Sequence, residues 1–231
     1  MRRICISGFS ALSREWANEQ PDDVEIWGSN ESHLFLKRYD RWFQMHPRDW
    51  NRESVNKSDG VFAPYTYGRG QSHVDWLAKC GVPVHQQAVD ERIPTSTLYP
   101  LGAVNDAFGI PDIEGEKHPY LTSTVAYMLA FALLEEDIGE IRLAGIEMAV
   151  GSEYVHQKPC LEFYLGMAIG RGVNVIRSPW GSGMLAAPLY AIDNDRPMPV
   201  GEMVPVTAVP RQGAYVAMME TKEGEPVGLP D

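Results

Sequence analysis

The feature that most constrains this fold is an alternation of short β-like runs with helical patterns, sustained from residue 3 to residue 178. Arg3–Ser7 is a β-rich run that stops at Gly8-Phe9-Ser10, Val24–Trp27 stops at Gly28-Ser29-Asn30, and Arg41–Met45 stops at His46-Pro47. Val61–Pro64 and Val82–His85 read as two further strands, with a helix at Asp75–Lys79 between them and a helix-like stretch at Leu34–Tyr39 before them. Thr122-Ser123 is an N-cap pair ahead of Val125–Leu134, which is apolar on almost every side, as a helix packed inside a domain must be. Glu140–Ile146 is a central strand in which Gly145 lets the chain turn. Pro159 suits the first turn of a helix that runs to the stop at Gly170-Arg171-Gly172, and Val173–Ile176 is the strand after it. Ile93–His118 is rich in turn residues and shows no clear period. Alternation of this kind predicts a Rossmann-like, three-layer α/β domain over residues 1–190, with a mostly parallel sheet and helices on both faces. Prolines at 197, 199, 205, 210, 226 and 230 then predict an extended C-terminal arm over residues 191–231, suited to wrapping a neighbouring subunit in a homo-oligomer.

Charge sorts the partners. The net charge of −11 disfavours a general nucleic-acid binder, whose surface must be basic. Residues 1–80 are nevertheless balanced, with eleven basic and eleven acidic side chains, so the whole excess falls after residue 80. Glu31–Ser58 is locally basic, which leaves room for a small phosphate-bearing ligand near the early strand ends. Three widely spaced cysteines, Cys5, Cys80 and Cys160, fit neither a disulfide framework nor a zinc cluster and point to a reducing, cytoplasmic setting. No apolar stretch is long enough for a membrane span, and Met1-Arg2-Arg3 leads into only a short apolar run, so the sequence predicts neither anchor nor signal peptide.

Walker, nucleophile-elbow, HExxH and CxxC motifs are all absent, and the six histidines are scattered, so no metal site is expected. The candidate chemistry rests on a constellation at the strand ends: Gly8 and Ser10, Asn30, His46, Thr122 and Ser123, then Tyr154 and His156 after the EIRLAGI strand. In an open parallel sheet, ligands sit at the carboxyl ends of strands, so the strand ends at Ser10, Asn30 and His46 are expected to converge. A histidine in a short polar loop after a central strand is placed to exchange protons near neutral pH.

The run Thr122–Met128, continuing through an Ala/Leu helix into Glu140–Ile146, resembles the signature of the bacterial sialyltransferase-like glycosyltransferases, a superfamily related to the hydroxymethylpterin diphosphokinase-like proteins. His156, Leu161–Gly170, Val173–Ile176 and Ser182–Leu185 resemble its later elements in order. The chain carries Thr124 where that family has glycine, and Ile146-Glu147 where it has Ile-Asp. The Met148–Val155 segment is too short for the family's tyrosine-bearing lid, so a sialic-acid donor does not follow.

The resemblance implies a metal-independent transfer from a nucleotide-sugar co-substrate to an acceptor hydroxyl, with no further cofactor. His156 would be the general base and Tyr154 would hydrogen-bond the departing phosphate. Gly8, Ser10, Asn30, His46, Thr122 and Ser123 would hold the nucleotide. A small molecule or glycan ranks above a modified DNA base as acceptor. The alternatives are a diphosphokinase-like or nucleotide-hydrolysing enzyme on the same pocket, and a nucleotide-binding protein without turnover.

Overall fold

A computed structural model describes residues 1–46, 71–148 and 154–179 together with 66–67 and 184–185; residues 66, 67, 71, 72, 154 and 155 are described by their main chain alone. The expected strand at Val61–Pro64 and the expected arm at 191–231 lie outside the described residues.

Seven strands form one sheet: β1 (Arg2–Ser7), β2 (Val24–Ser29), β3 (Arg41–Gln44), β4 (Val84–Gln86), β5 (Ser96–Leu98), β6 (Ile138–Ala144) and β7 (Asn174–Arg177). Their spatial order is β7-β6-β1-β2-β3-β4-β5, and every adjacent pair is parallel. The central strand β1 is buried on both faces from Ile4 to Ser7, the reason it reads as a near-continuous apolar run.

Successive residues point to opposite faces, and two cores result. Ile4, Ile6, Trp27 and Phe43 pack with α2 (Leu101–Phe108), α3 (Thr124–Leu134) and α4 (Tyr154–Gly170). Cys5, Ile26 and Trp42 pack on the other side with Ala17, Leu36 and α1 (His73–Leu77). The result is the three-layer α/β arrangement that the alternation predicts.

Helix α3 begins where its cap predicts, since the Ser123 hydroxyl accepts a hydrogen bond from the Ala126 N–H at 3.2 Å. Helix α4 departs from expectation. It starts at Tyr154, so Pro159 lies inside the helix rather than in its first turn. The missing N–H of Pro159 forfeits one helical bond, which burial of Cys160, Leu161, Tyr164, Leu165 and Ala168 outweighs. The Gly170–Gly172 stop behaves as predicted: Gly172 takes φ +79° while the Val173 N–H returns to the Ala168 carbonyl at 3.0 Å.

Leu34–Tyr39 is not helical; a short 3₁₀ turn at Ser32–Leu34 is followed by irregular chain. Polar side chains fix that chain instead. Asp40 accepts from the Ile26 N–H at 2.7 Å, and Arg38 donates to the carbonyls of Gln20, Pro21 and Val24. The turn-rich stretch 93–118 resolves into β5, α2 and a two-stranded hairpin, Ile110–Pro111 with Lys117–His118. Among the described residues, no helix is long and apolar enough to cross a membrane.

Candidate functional site

Because all seven strands are parallel, their carboxyl ends share one edge. The chain runs from β1 outward to β5 on one side and returns to β6 on the other, so the ends of β1 and β6 form the topological switch point where such sheets bind ligands.

Two glycines touch there. A Cβ on Gly8 would lie 2.3 Å from the Gly145 carbonyl oxygen, and one on Gly145, at φ +68°, would lie 2.7 Å from the Gly8 oxygen. Gly8 donates its N–H to Ala144 at 2.7 Å and Ser10 donates to Gly145 at 3.0 Å. These two amides, at positions expected to hold the nucleotide, are committed to the Ala144 and Gly145 carbonyls, and Gly8 is required by the close approach of the two loops.

Two residues the sequence reading missed complete this junction. The Ser13 hydroxyl accepts from the Gly145 N–H at 2.8 Å and donates to Glu147 Oε1. Glu147 is only 7% exposed, and its Oε2 is buried without a hydrogen-bond partner. The Nε of Arg14, whose guanidinium lies 4.6 Å over the Phe35 ring, is also buried and pairs with Glu15 Oε1 at 3.7 Å.

At the end of β2, Asn30 adopts φ +48°, the left-handed conformation that asparagine tolerates best among side chains other than glycine. Its N–H reaches the Phe43 carbonyl at 3.4 Å, and its side-chain oxygen is buried and unpartnered. His46, at the end of β3, belongs with two histidines the sequence did not single out. His33 stacks on Trp76 at 4.0 Å, and the His73 Nε2 lies 2.8 Å from the Gln44 side-chain oxygen. Burial lowers the pKa of all three, His33 to about 4 and His73 to about 3, and the neighbouring His33 and His46 push His73 down further. This corner is therefore a set of neutral imidazoles near neutral pH.

The third group is Thr122, Ser123 and His156. The Thr122 hydroxyl donates to the His156 carbonyl at 3.3 Å, which brings the amino-terminal ends of α3 and α4 together on the carboxyl edge of the sheet. His156 stands on the first turn of α4 with its side chain exposed, not in a loop as the sequence suggested. Tyr154 opens the same turn. The Ser123 hydroxyl is engaged as the α3 cap, whereas Thr122 is exposed. Helix amino termini present unpaired N–H groups and positive dipole ends, which suits an anion.

One cluster with metal-ligating side chains was not anticipated. Asp112, Glu116 and His118 lie close together on the exposed hairpin. The turn itself accounts for Asp112: one oxygen accepts from the Glu114 and Glu116 N–H groups, each at 2.9 Å, and the other lies 2.8 Å from His118 Nε2.

No family model matches the sequence, and no curated protein matches it. Among solved structures, the chain is similar to the sialyltransferase CstII from Campylobacter jejuni. With the substrate analogue CMP-3FNeuAc bound, that enzyme superposes at TM-score 0.48 and 13% identity over 79% of this chain and 83% of the other. The complex with cytidine-5'-monophosphate gives 0.49 and 14% over 79% and 82%, and the complex of CST-II with a trisaccharide acceptor and CMP gives 0.45 and 14% over 78% and 82%. At these identities and scores the likeness assigns no residue of this chain a role.

Proposed function

We propose that the chain is a nucleotide-dependent transferase of glycosyltransferase type, which binds a nucleotide-sugar donor along the carboxyl edge of its sheet and uses His156 as general base toward an acceptor hydroxyl. The observation that carries this reading is the 3.3 Å hydrogen bond from Thr122 to the His156 carbonyl. It sets an exposed imidazole beside two converging helix amino termini, so a proton acceptor and an anion-binding surface share one place.

The chemistry divides accordingly. The N–H groups of the first turns of α3 and α4 stabilise charge that grows on the departing nucleotide phosphate, while the Thr122 hydroxyl, which gives its proton to the His156 carbonyl, holds the two turns together. Tyr154, on the same first turn, is proposed to donate to that phosphate as well. His156 takes the proton of the attacking acceptor hydroxyl, a contribution of about 10²- to 10⁴-fold to the rate. Asn30, His46, Ser10 and Gly8 are proposed to line the nucleoside end, where Asn30 offers a buried, unpartnered oxygen. The main-chain amides of Gly8 and Ser10 take no part, because the Ala144 and Gly145 carbonyls already accept them.

The test is turnover with binding measured beside it. A panel of CMP-, UDP-, GDP- and ADP-sugars is screened by melting temperature, and the donor that stabilises the chain is assayed for nucleotide release. His156→Ala is expected to lower release by about 10²-fold or more while nucleotide affinity stays within about threefold. A His156→Ala chain that releases nucleotide at the full rate removes His156 from the reaction. Stabilisation by a donor with no release by the unaltered chain reduces the protein to a nucleotide binder.

A further inference from the structure

We propose that Glu147 is a specificity-determining residue that accepts hydrogen bonds from the ribose hydroxyls of the bound nucleotide; this rests on the nucleotide reading above and names the ligand group recognised at the switch point. Glu147 lies three residues past the end of β6, just after Gly145 of the Gly8–Gly145 contact, where a parallel sheet of this connectivity opens its crevice. Its side chain is 7% exposed, and only one of its two oxygens is used. Oε1 takes the Ser13 hydroxyl, which in turn receives the Gly145 N–H, so the carboxylate is held in place through both loops. Oε2 is buried with no donor. A folded chain leaves a buried carboxylate oxygen unmatched where something else supplies the donor.

The end of β2 repeats the pattern: Asn30 Oδ1 is also buried without a hydrogen bond. Two unmatched polar atoms, Glu147 Oε2 and Asn30 Oδ1, therefore lie past the carboxyl ends of β6 and β2, the two neighbours of β1. The class of the missing donor follows from charge. A carboxylate repels phosphate, so Glu147 does not face that end of the ligand; phosphate suits the α3 and α4 amino termini instead. A neutral group with hydroxyl donors matches Oε2, and the group in a nucleotide that has two adjacent hydroxyls is the ribose. Ser13 is the positioning residue, since it fixes which carboxylate oxygen remains open.

The experiment titrates the full chain calorimetrically with CMP, UMP, AMP and GMP and with their 2′-deoxy counterparts. For whichever base binds, the unaltered chain is expected to hold the ribonucleotide about tenfold to a hundredfold tighter than the deoxy form, the loss that follows one hydrogen bond to a charged acceptor. Glu147→Gln keeps an oxygen for the Ser13 hydroxyl but sets a donor where Oε2 stood. It is expected to bind the two forms within about threefold of each other, with affinity for the deoxy form unchanged. Equal binding of ribo and deoxy forms by the unaltered chain overturns the assignment, and that measurement stands even if the variant does not fold. A ribo preference that survives in Glu147→Gln overturns it as well. Failure of all four nucleotides to bind removes the nucleotide reading itself and this assignment with it, a different signature from binding without preference.

Discussion

The two edges of the sheet are built from the same strands and arrange their charged side chains differently. At the amino edge, charges are matched. Arg2 forks onto Glu25 at 2.7 and 2.8 Å and reaches Glu135 at 2.9 Å, and Arg41 meets Glu135 at 2.5 Å. The Arg41 guanidinium also lies 5.1 Å over the Trp27 ring, and Arg2 holds the Glu25 carboxyl below its usual value. At the carboxyl edge, Asn30 and Glu147 each keep a buried polar atom unmatched, imidazoles are held neutral, and two glycine loops touch. Bidentate, mutually satisfied pairs fix a fold, whereas unmatched polar groups beside converging helix ends prepare a surface for something else.

The largest expected effect is at the switch point, where the two loops have no space to give. Gly8→Ala sets a methyl within 2.3 Å of a backbone oxygen. It is expected to destabilise the chain by about 3 kcal/mol, a fall in melting temperature of roughly 6–12 °C. A variant that melts with the unaltered protein would mean that the loops are looser than the contact implies.

Next is Glu135→Gln, which removes the charge that Arg2 and Arg41 share at the amino edge. Equilibrium unfolding in urea is expected to show a loss of about 2 kcal/mol while nucleotide affinity stays unchanged. A comparable loss of affinity would break the division between the edges.

Acid titration gives an intermediate effect. His33, His73 and His85 are held by burial near 4, 3 and 4, below the ordinary 6.5. Between those values the unfolded chain binds more protons than the folded one, so stability is fully present above about pH 6.5 and is lost as pH falls toward 4. Urea midpoints between pH 8 and pH 5 are expected to fall with acidification, and to fall less steeply in His85→Phe. Glu25, whose pKa is lowered, acts only below the carboxylate range and leaves that window untouched. A flat profile would mean that these imidazoles are not held neutral by the fold.

The smallest effect is on the exposed His156: its replacement by alanine is expected to change stability by no more than about 0.5 kcal/mol, as read by thermal unfolding. A larger loss would make it a packing residue.

Much of the fold is legible in the sequence, for physical reasons. Strands β1, β2, β3 and β6 carry apolar, β-rich runs that end in glycine, serine or histidine, and the Ser123 cap and all-round apolar surface mark α3. The three residues of β5 and the eight of α2 are too short for any period to emerge. The start of α4 was misplaced because Pro159 normally marks a first turn, and local preference does not register the burial that carries the helix past it.

The candidate site was legible only as separate pieces. Strand ends and the Thr122-Ser123 cap announce themselves locally. The Ser13–Glu147 bond joins residues 134 apart, and His73 meets Gln44 from 29 residues away, pairings that only the folded topology creates. The hints of Glu147 are its place two residues after a glycine at the end of a central strand and its match to the Ile-Asp of the family the sequence resembles.

Hydrogen–deuterium exchange with and without the nucleotide that binds tests the central claim most directly. Nucleotide bound along the carboxyl edge is expected to slow exchange at residues 28–33, 120–126 and 145–147, and to leave residues 135–139 on the amino edge unchanged. Protection that falls on the amino edge, or bound nucleotide that protects none of these carboxyl-edge segments, would contradict it.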